Sequence, residues 1–299
     1  MIQKKTFWLK LRSGRLRLGE RALIMGVLNV TPDSFSDGGK FFDVKSAVRH
    51  ALAIQLDGAD IIDIGAESTR PGSLAISAAE ELRRLLPVLE ALRGKLKIPI
   101  SVDTQKSAVA ELALGAGGEI VNDISGLRSD PQLASVAAKY GAPLILMHMR
   151  GTPRTMQKGP FARDAMRDVT SGLRKSIATA KKLGVKQSQI VIDPGIGFGK
   201  SYSQNYELLA RLRELAKLGY PVMIGTSRKG FLGATLAKNG KPASADERMW
   251  ATAATVAASI LNGAHIVRVH DVAEMKQVAL VADCVLRPAP PRENGRSQK

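Results

Sequence analysis

The chain of 299 residues contains one cysteine, Cys284, so no disulfide within the chain can staple the fold and stability must come from a buried core. Cys284 falls in a predicted final helix, where ordinary packing is its expected role. Aromatic residues make up only 4% of the chain and do not alternate with basic ones, which argues against a stacking platform for single-stranded nucleic acid. No helix-turn-helix, zinc-finger or RNP pattern is present. The longest uncharged apolar stretch, Ala251–Leu261, is too short and too polar to span a bilayer. Met1–Lys10 is basic but lacks the apolar segment of a secretory signal, so a cytoplasmic location is expected. Acidic residues are scarce, 27 against 44 basic ones, leaving a net charge of +17. Much of the excess lies on predicted helix faces, as at Arg83, Arg84, Arg93, Lys95, Lys97, Arg211 and Arg213. That dispersion reads as a solvated surface, with steering of anionic substrates as the alternative. No membrane contact and no specific nucleic-acid partner are expected.

Eight short apolar runs are present instead, each long enough for one buried strand: Ala22–Leu28, Ala59–Ile64, Ile98–Val102, Glu119–Val121, Pro143–Met147, Ile190–Ile192, Pro221–Ile224 and His265–Val269. Stretches with helical spacing separate them, among them Ser46–Leu56, Ala78–Leu92, Asp164–Leu183, Tyr206–Leu218 and Ser244–Leu261. Alternating strands and helices imply parallel strands with crossover helices, and eight of them at this length imply a (β/α)8 TIM barrel. Phe7–Leu11 and Arg15–Leu18 alternate apolar and polar residues around Ser13-Gly14, predicting an N-terminal β-hairpin that closes one end of the barrel. Residues 1–287 are read as a single domain, and the Pro- and Arg-rich residues 288–299 as a disordered basic tail.

The chemistry-bearing residues sit where the runs end, and in such a barrel all strand C-termini open onto one face. The first exit, Asn29–Gly39, is a long polar loop and a candidate lid; Asn29 offers a neutral oxygen to a hard cation such as Mg²⁺, or caps the turn. The second exit, Gly65–Gly72, carries Arg70, suited to a phosphate or simply solvated. Asp103, Asn122 and Asp193 end strands that are otherwise Ile and Val. Together they match a heterocycle with amine and ring N–H donors, though they also suit a metal or helix caps.

In Asp193–Ser201, Pro194 rules out a P-loop and Lys200 rules out a dinucleotide fingerprint. What remains is a glycine-lined turn bringing Phe198 near a flat ligand. Ser227 and Lys229 precede a predicted short helix and suit an anion, with N-capping by Ser227 as the alternative. Arg268 and His270, one residue apart, point to the same side and suit an oxyanion. His148, alone in an apolar frame, reads as structural, and no His set has zinc-ligand spacing.

These motifs resemble the dihydropteroate synthase family, pterin-binding TIM barrels, over roughly residues 20 to 286. Asn29–Gly39, Glu67–Gly72, Ser101–Thr104, Asn122–Ile124, Met147–Met149, Asp193–Lys200, Ser227–Lys229 and Arg268–Asp271 follow in the family's order. The resemblance implies condensation of 6-hydroxymethyl-7,8-dihydropterin diphosphate with 4-aminobenzoate by an S_N1-like route, in which diphosphate leaves before the arylamine attacks. It also implies that Asp103, Asn122, Asp193 and Lys229 bind the pterin, with Thr69 nearby and Met147 against its face. Asn29, Arg70, Arg268 and His270 would hold diphosphate, with Mg²⁺ coordinated through Asn29. Phe35, Pro71 and Phe198 would enclose the aminobenzoate ring, and Ser227 would help receive its carboxylate. Catalysis would rest on Asp103, Arg268, His270, Lys229 and Arg70, and a homodimer through the later helices is the family expectation. Ala66 and Arg150 depart from common family residues. The rival readings are a methyltetrahydrofolate-handling methyltransferase barrel with a corrinoid partner, a noncatalytic pterin-binding paralogue, and weak polyanion binding through the basic surface.

Overall fold

The computed structural model describes residues 4–31, 43–70 and 72–288. The first element is the expected hairpin: β1 (Phe7–Lys10) pairs antiparallel with β2 (Arg15–Leu18). Eight parallel strands follow: β3 (Leu23–Asn29), β4 (Ile61–Gly65), β5 (Ile100–Asp103), β6 (Ile120–Asp123), β7 (Leu144–Met147), β8 (Ile190–Asp193), β9 (Met223–Ile224) and β10 (Ile266–Val269). Their order in the sheet is β8-β7-β6-β5-β4-β3-β10-β9, and a parallel bridge between Ile192 and Val222 brings the two edges together as a barrel. The strands are buried on both faces, which explains their nearly unbroken Ile, Val and Leu content.

Between and after the strands run α1 (Val44–Leu56), α2 (Ala78–Leu92), α3 (Ser107–Gly115), α4 (Gln132–Tyr140), α5 (Ala165–Lys182), α6 (Tyr202–Ala210), α7 (Gly230–Thr235), α8 (Met249–Leu261) and α9 (Val272–Leu286). They seal the outer faces of the strands in the main core. A second cluster fills the barrel's interior at its N-terminal end, where Leu9, Leu11 and Leu18 of the hairpin pack against Leu23, Met25, Ile61, Ile120, Ile145, Val191, Met223 and Ile266. The hairpin is thus the plug that the sequence pattern implied.

Three local expectations change. The stretch Tyr206–Leu218 is two elements: α6 starts earlier, at Tyr202, because Ser201 and Gln204 form a capping box, and a 3₁₀ segment, Leu212–Leu218, follows Arg211. The stretch from Ser244 becomes helical only after the 3₁₀ turn Asp246–Arg248. Cys284 is exposed rather than packed, because the buried stripe of α9 runs through Met275, Ala279 and Ala282, and position 284 falls off it. Residues 289–299 of the expected tail lie outside the described residues.

Candidate active site

Strand alternation dictates how the site is built. Side chains two apart share a face, so the strands that give Ile61, Ile120, Val191 and Ile266 to the apolar plug give Asp63, Asn122, Asp193 and Arg268 to the same interior one step nearer the C-terminal end. The interior therefore changes from hydrocarbon to ionic over a single pleat. Its hub is Asp63, which is fully buried. Asp63 Oδ2 accepts from Arg268 Nε at 2.6 Å and from Asn122 Nδ2 at 3.0 Å, while Arg268 Nη2 donates to Asp103 Oδ2 at 2.9 Å. Gly65 leaves room for this pairing, since a Cβ there would stand 3.2 Å from Asp103 Cβ.

One guanidinium shared between two carboxylates cannot fully compensate both. Burial pushes the Asp103 carboxyl up to about 7, with Arg268 pulling down and Asp63 pushing further up. Burial also raises Asp193, against the Gly195 N–H that donates to its Oδ1 at 2.6 Å and the positive charge of Lys229. Burial lowers Lys229 to about 8. Two acceptors of the floor, Asp63 Oδ1 and Asn122 Oδ1, are buried with no hydrogen-bond partner. Of the two, Asn122 lines the cavity above, where a ligand donor can meet its oxygen.

Above this floor lies an open cleft. Among the predicted residues, Thr69, Asp103, Asn122, Met147, Asp193, Phe198, Ser227, Lys229, Arg268 and His270 line it. The Lys229 ammonium stands 3.9 Å from the centroid of the Phe198 ring. Arg70 is exposed at the rim and Asn29 half-buried at the end of β3, and neither belongs to the lining. Phe35 and Pro71 lie outside the described residues.

The local surroundings of Ser227 and His270 decide between their alternative roles. Ser227 is not the cap of α7, which starts at Gly230 without a side-chain cap. Arg228, with φ of 58°, turns the chain between Ser227 and the helix, and the Ser227 hydroxyl instead meets the backbone N–H and Nδ1 of His270 at 3.2 and 3.0 Å. His270 is held down to about 3 by burial and by Arg268, so at neutral pH it offers a hydrogen bond rather than a charge. Asp63 lies within the apolar run Ala59–Ile64, and the sequence pattern did not single it out as the hub. The signal was present, because Asp63 and Gly65 alternate on the interior face two strands away from Arg268. Among the described residues, no three His, Cys, Asp or Glu side chains converge as a metal cluster.

The family model described as pterin binding enzyme matches residues 25–270. The dihydropteroate synthase of Synechocystis sp. is 47% identical over 269 residues, 90% of this chain and 92% of its own length. The chain belongs to the dihydropteroate synthase family. The same holds in three dimensions: the Clostridium difficile dihydropteroate synthase solved in the presence of pteroic acid superposes with a TM-score of 0.84 at 46% identity, covering 90% of this chain and 98% of that one. The Xanthomonas albilineans dihydropteroate synthase with 4-aminobenzoic acid gives 0.87 at 38% identity, covering 95% and 99%. Dihydropteroate synthases are transferases of folate synthesis, and the corrinoid-linked methyltransferase reading gives way to that family.

Proposed function

We propose that the cavity holds 6-hydroxymethyl-7,8-dihydropterin diphosphate over the carboxylate floor and 4-aminobenzoate toward Phe198 and Ser227, joining them to 7,8-dihydropteroate with release of diphosphate. The observation that carries this reading is the floor: buried acceptors on Asp103, Asn122 and Asp193, one of them an orphan, beside the Lys229 donor. A pterin presents amine and ring N–H donors next to a carbonyl, the complement of that set. Met147 lies against its face and Thr69 at its edge.

The bond from the pterin methylene to the diphosphate oxygen breaks with both electrons leaving on diphosphate, and the amine nitrogen then supplies the pair for the new C–N bond and releases a proton. An ionised Asp103 faces the cation that forms. Arg268 keeps part of its fork for the departing anion while Asp63 and Asp103 hold the rest, His270 donates to it, and Arg70 reaches it from the rim. The Ser227–His270 contact is not a nucleophile–base pair in this reading. Among the described residues no carboxylate orients the imidazole, and the hydroxyl already accepts the His270 backbone N–H.

Mg²⁺ fits as a companion of the diphosphate: with no protein cluster among the described residues, Asn29 would supply one oxygen beside phosphate and water ligands. Bound there, it would neutralise charge on the leaving group. A homodimer belongs to the same proposal, supported by the exposed apolar side chains Trp250, Leu280, Val281 and Val285 on α8 and α9. The test is to mix the purified protein with both substrates, with and without Mg²⁺, and follow dihydropteroate and diphosphate together. Both should appear, depend on the metal and fall sharply in Asp103→Asn; tight pterin binding without dihydropteroate would leave only a binding protein.

A further inference from the structure

Two residues of the barrel mouth have no part in the chemistry above, yet they are joined to each other. Lys200 is a buried lysine, and burial lowers its ammonium to about 7. Its Nζ donates to the carbonyl oxygens of His148 and Phe198 at 2.8 and 3.0 Å and meets His148 Nδ1 at 3.0 Å. Three donors thus find three acceptors, which fits the ammonium form and makes Nδ1 the unprotonated ring nitrogen. The other nitrogen, Nε2, then carries the hydrogen and faces Asp168 Oδ2 at 3.7 Å.

The imidazole is seated against α5 in a notch at Gly172, where a Cβ would come within 2.4 Å of His148 Cδ2. The His148 backbone N–H donates to the Asp193 carbonyl at 2.9 Å. The turn after β8 presses on the same point, since a Cβ on Gly195 would stand 1.9 Å from the His148 oxygen. Lys200 therefore sits where the exits of β7 and β8 touch, and one of its bonds ends on the backbone of Phe198.

We propose that Lys200 is a positioning residue: its ammonium, with His148 as partner, locks the exits of β7 and β8 into one wall and so sets where Phe198 stands over the aminobenzoate end of the cavity. This rests on the proposed placement of aminobenzoate against Phe198. The floor side chains Asp103, Asn122 and Arg268 sit on other strands, and only Asp193 meets the lock, through its carbonyl and the charge of Lys200, so the aminobenzoate end should respond more strongly than the pterin end when the lock is broken.

The experiment compares steady-state constants of Lys200→Met and Gly172→Ala, the former also in a Phe198→Leu background, with ¹⁵N-histidine NMR of each protein. Lys200→Met keeps the apolar stem and removes the donors. It should raise KM for 4-aminobenzoate between about ten- and a hundredfold, as expected for a misplaced contact, and raise KM for the pterin diphosphate by a clearly smaller factor, the share that reaches Asp193. With Phe198 already Leu, the same substitution should shift KM by less than about twofold, because coupled residues are not additive. Gly172→Ala removes no polar group but crowds His148 out of its notch, and it should raise the same KM, which decides the matter if Lys200→Met does not fold. The native spectrum should show His148 with Nδ1 unprotonated. Unchanged aminobenzoate KM in the folded variants, an undiminished effect in the Phe198→Leu background, or a protonated Nδ1 would overturn the proposal. Absence of turnover in the unmodified protein would instead defeat the functional reading, and the NMR result would still judge the lysine–histidine contact.

Discussion

The two ends of the barrel's interior are built by the same strands and do opposite things. At the N-terminal end, Met25, Ile61, Ile120, Val191 and Ile266 meet the hairpin's leucines in a dry plug. One pleat further, Asp63, Asn122, Asp193 and Arg268 crowd together with unequal numbers of donors and acceptors, and two buried oxygens go unmet. Burying hydrocarbon stabilises at about 25 cal/mol per Å², whereas burying incompletely paired carboxylates works against folding. A chain carries such a floor when a ligand completes it, so one end holds the fold and the other holds the substrate.

The sharpest way to break this division is Asp63→Ala, which strikes both roles. It strands Arg268 Nε and Asn122 Nδ2 in the interior, and loss of one member of a buried charged pair destabilises by about 3–5 kcal/mol; chemical denaturation should show that loss, and turnover should vanish as Arg268 and Asn122 drift. Met25→Ala acts on the plug alone. It should cost about 2–5 kcal/mol of stability while kcat/KM per folded molecule stays within about twofold, because additivity holds for distant sites.

A pH series separates the ends without a new contact. Asp103 is raised to about 7 in the fold, while the unfolded chain ionises near the ordinary aspartate value. Between those two values the native state keeps a proton that the unfolded state has lost, so stability falls as pH rises through that window. If catalysis uses the ionised form, kcat/KM rises with pH over the upper part of the same window. Asp103→Asn should flatten the stability trend and abolish the rise, and melting temperature and rate measured on the same samples check both. The smallest effect belongs to the rim: Arg70→Ala should raise KM for the pterin diphosphate about tenfold, the worth of one charged hydrogen bond, with the melting temperature unmoved because Arg70 is exposed.

The fold was legible because parallel strands buried on both faces must be runs of branched aliphatics, and such runs ended within a residue or two of the observed strands. Strand β9 was the weakest, since Pro221 cannot donate to the ladder and the regular pairing covers only Met223 and Ile224. The early start of α6 was missed although Ser201-Tyr202-Ser203-Gln204 carries a capping-box pattern. The pocket residues were legible because strand ends converge in this architecture, and ten of the predicted ligand-facing residues line one cavity. What sequence could not supply was pairing. The sharing of Arg268 between Asp63 and Asp103 spans 205 and 165 positions along the chain, and the neutral state of His270 depends on burial beside that guanidinium. The roles of His148 and Lys200 were hidden for the same reason, because a lone histidine and a failed P-loop lysine make sense only once they touch.

The most direct measurement is calorimetric titration of 6-hydroxymethylpterin into the unmodified protein and into Asp193→Ala, with the melting temperature of each recorded. If the ionic floor exists for the ligand, the variant loses about a hundredfold in affinity, the upper range for a hydrogen bond to a charged group, and melts at the same temperature or higher. Unchanged affinity with a lower melting temperature would mean that the carboxylate belongs to the fold, and that the two ends of the barrel are not divided as described.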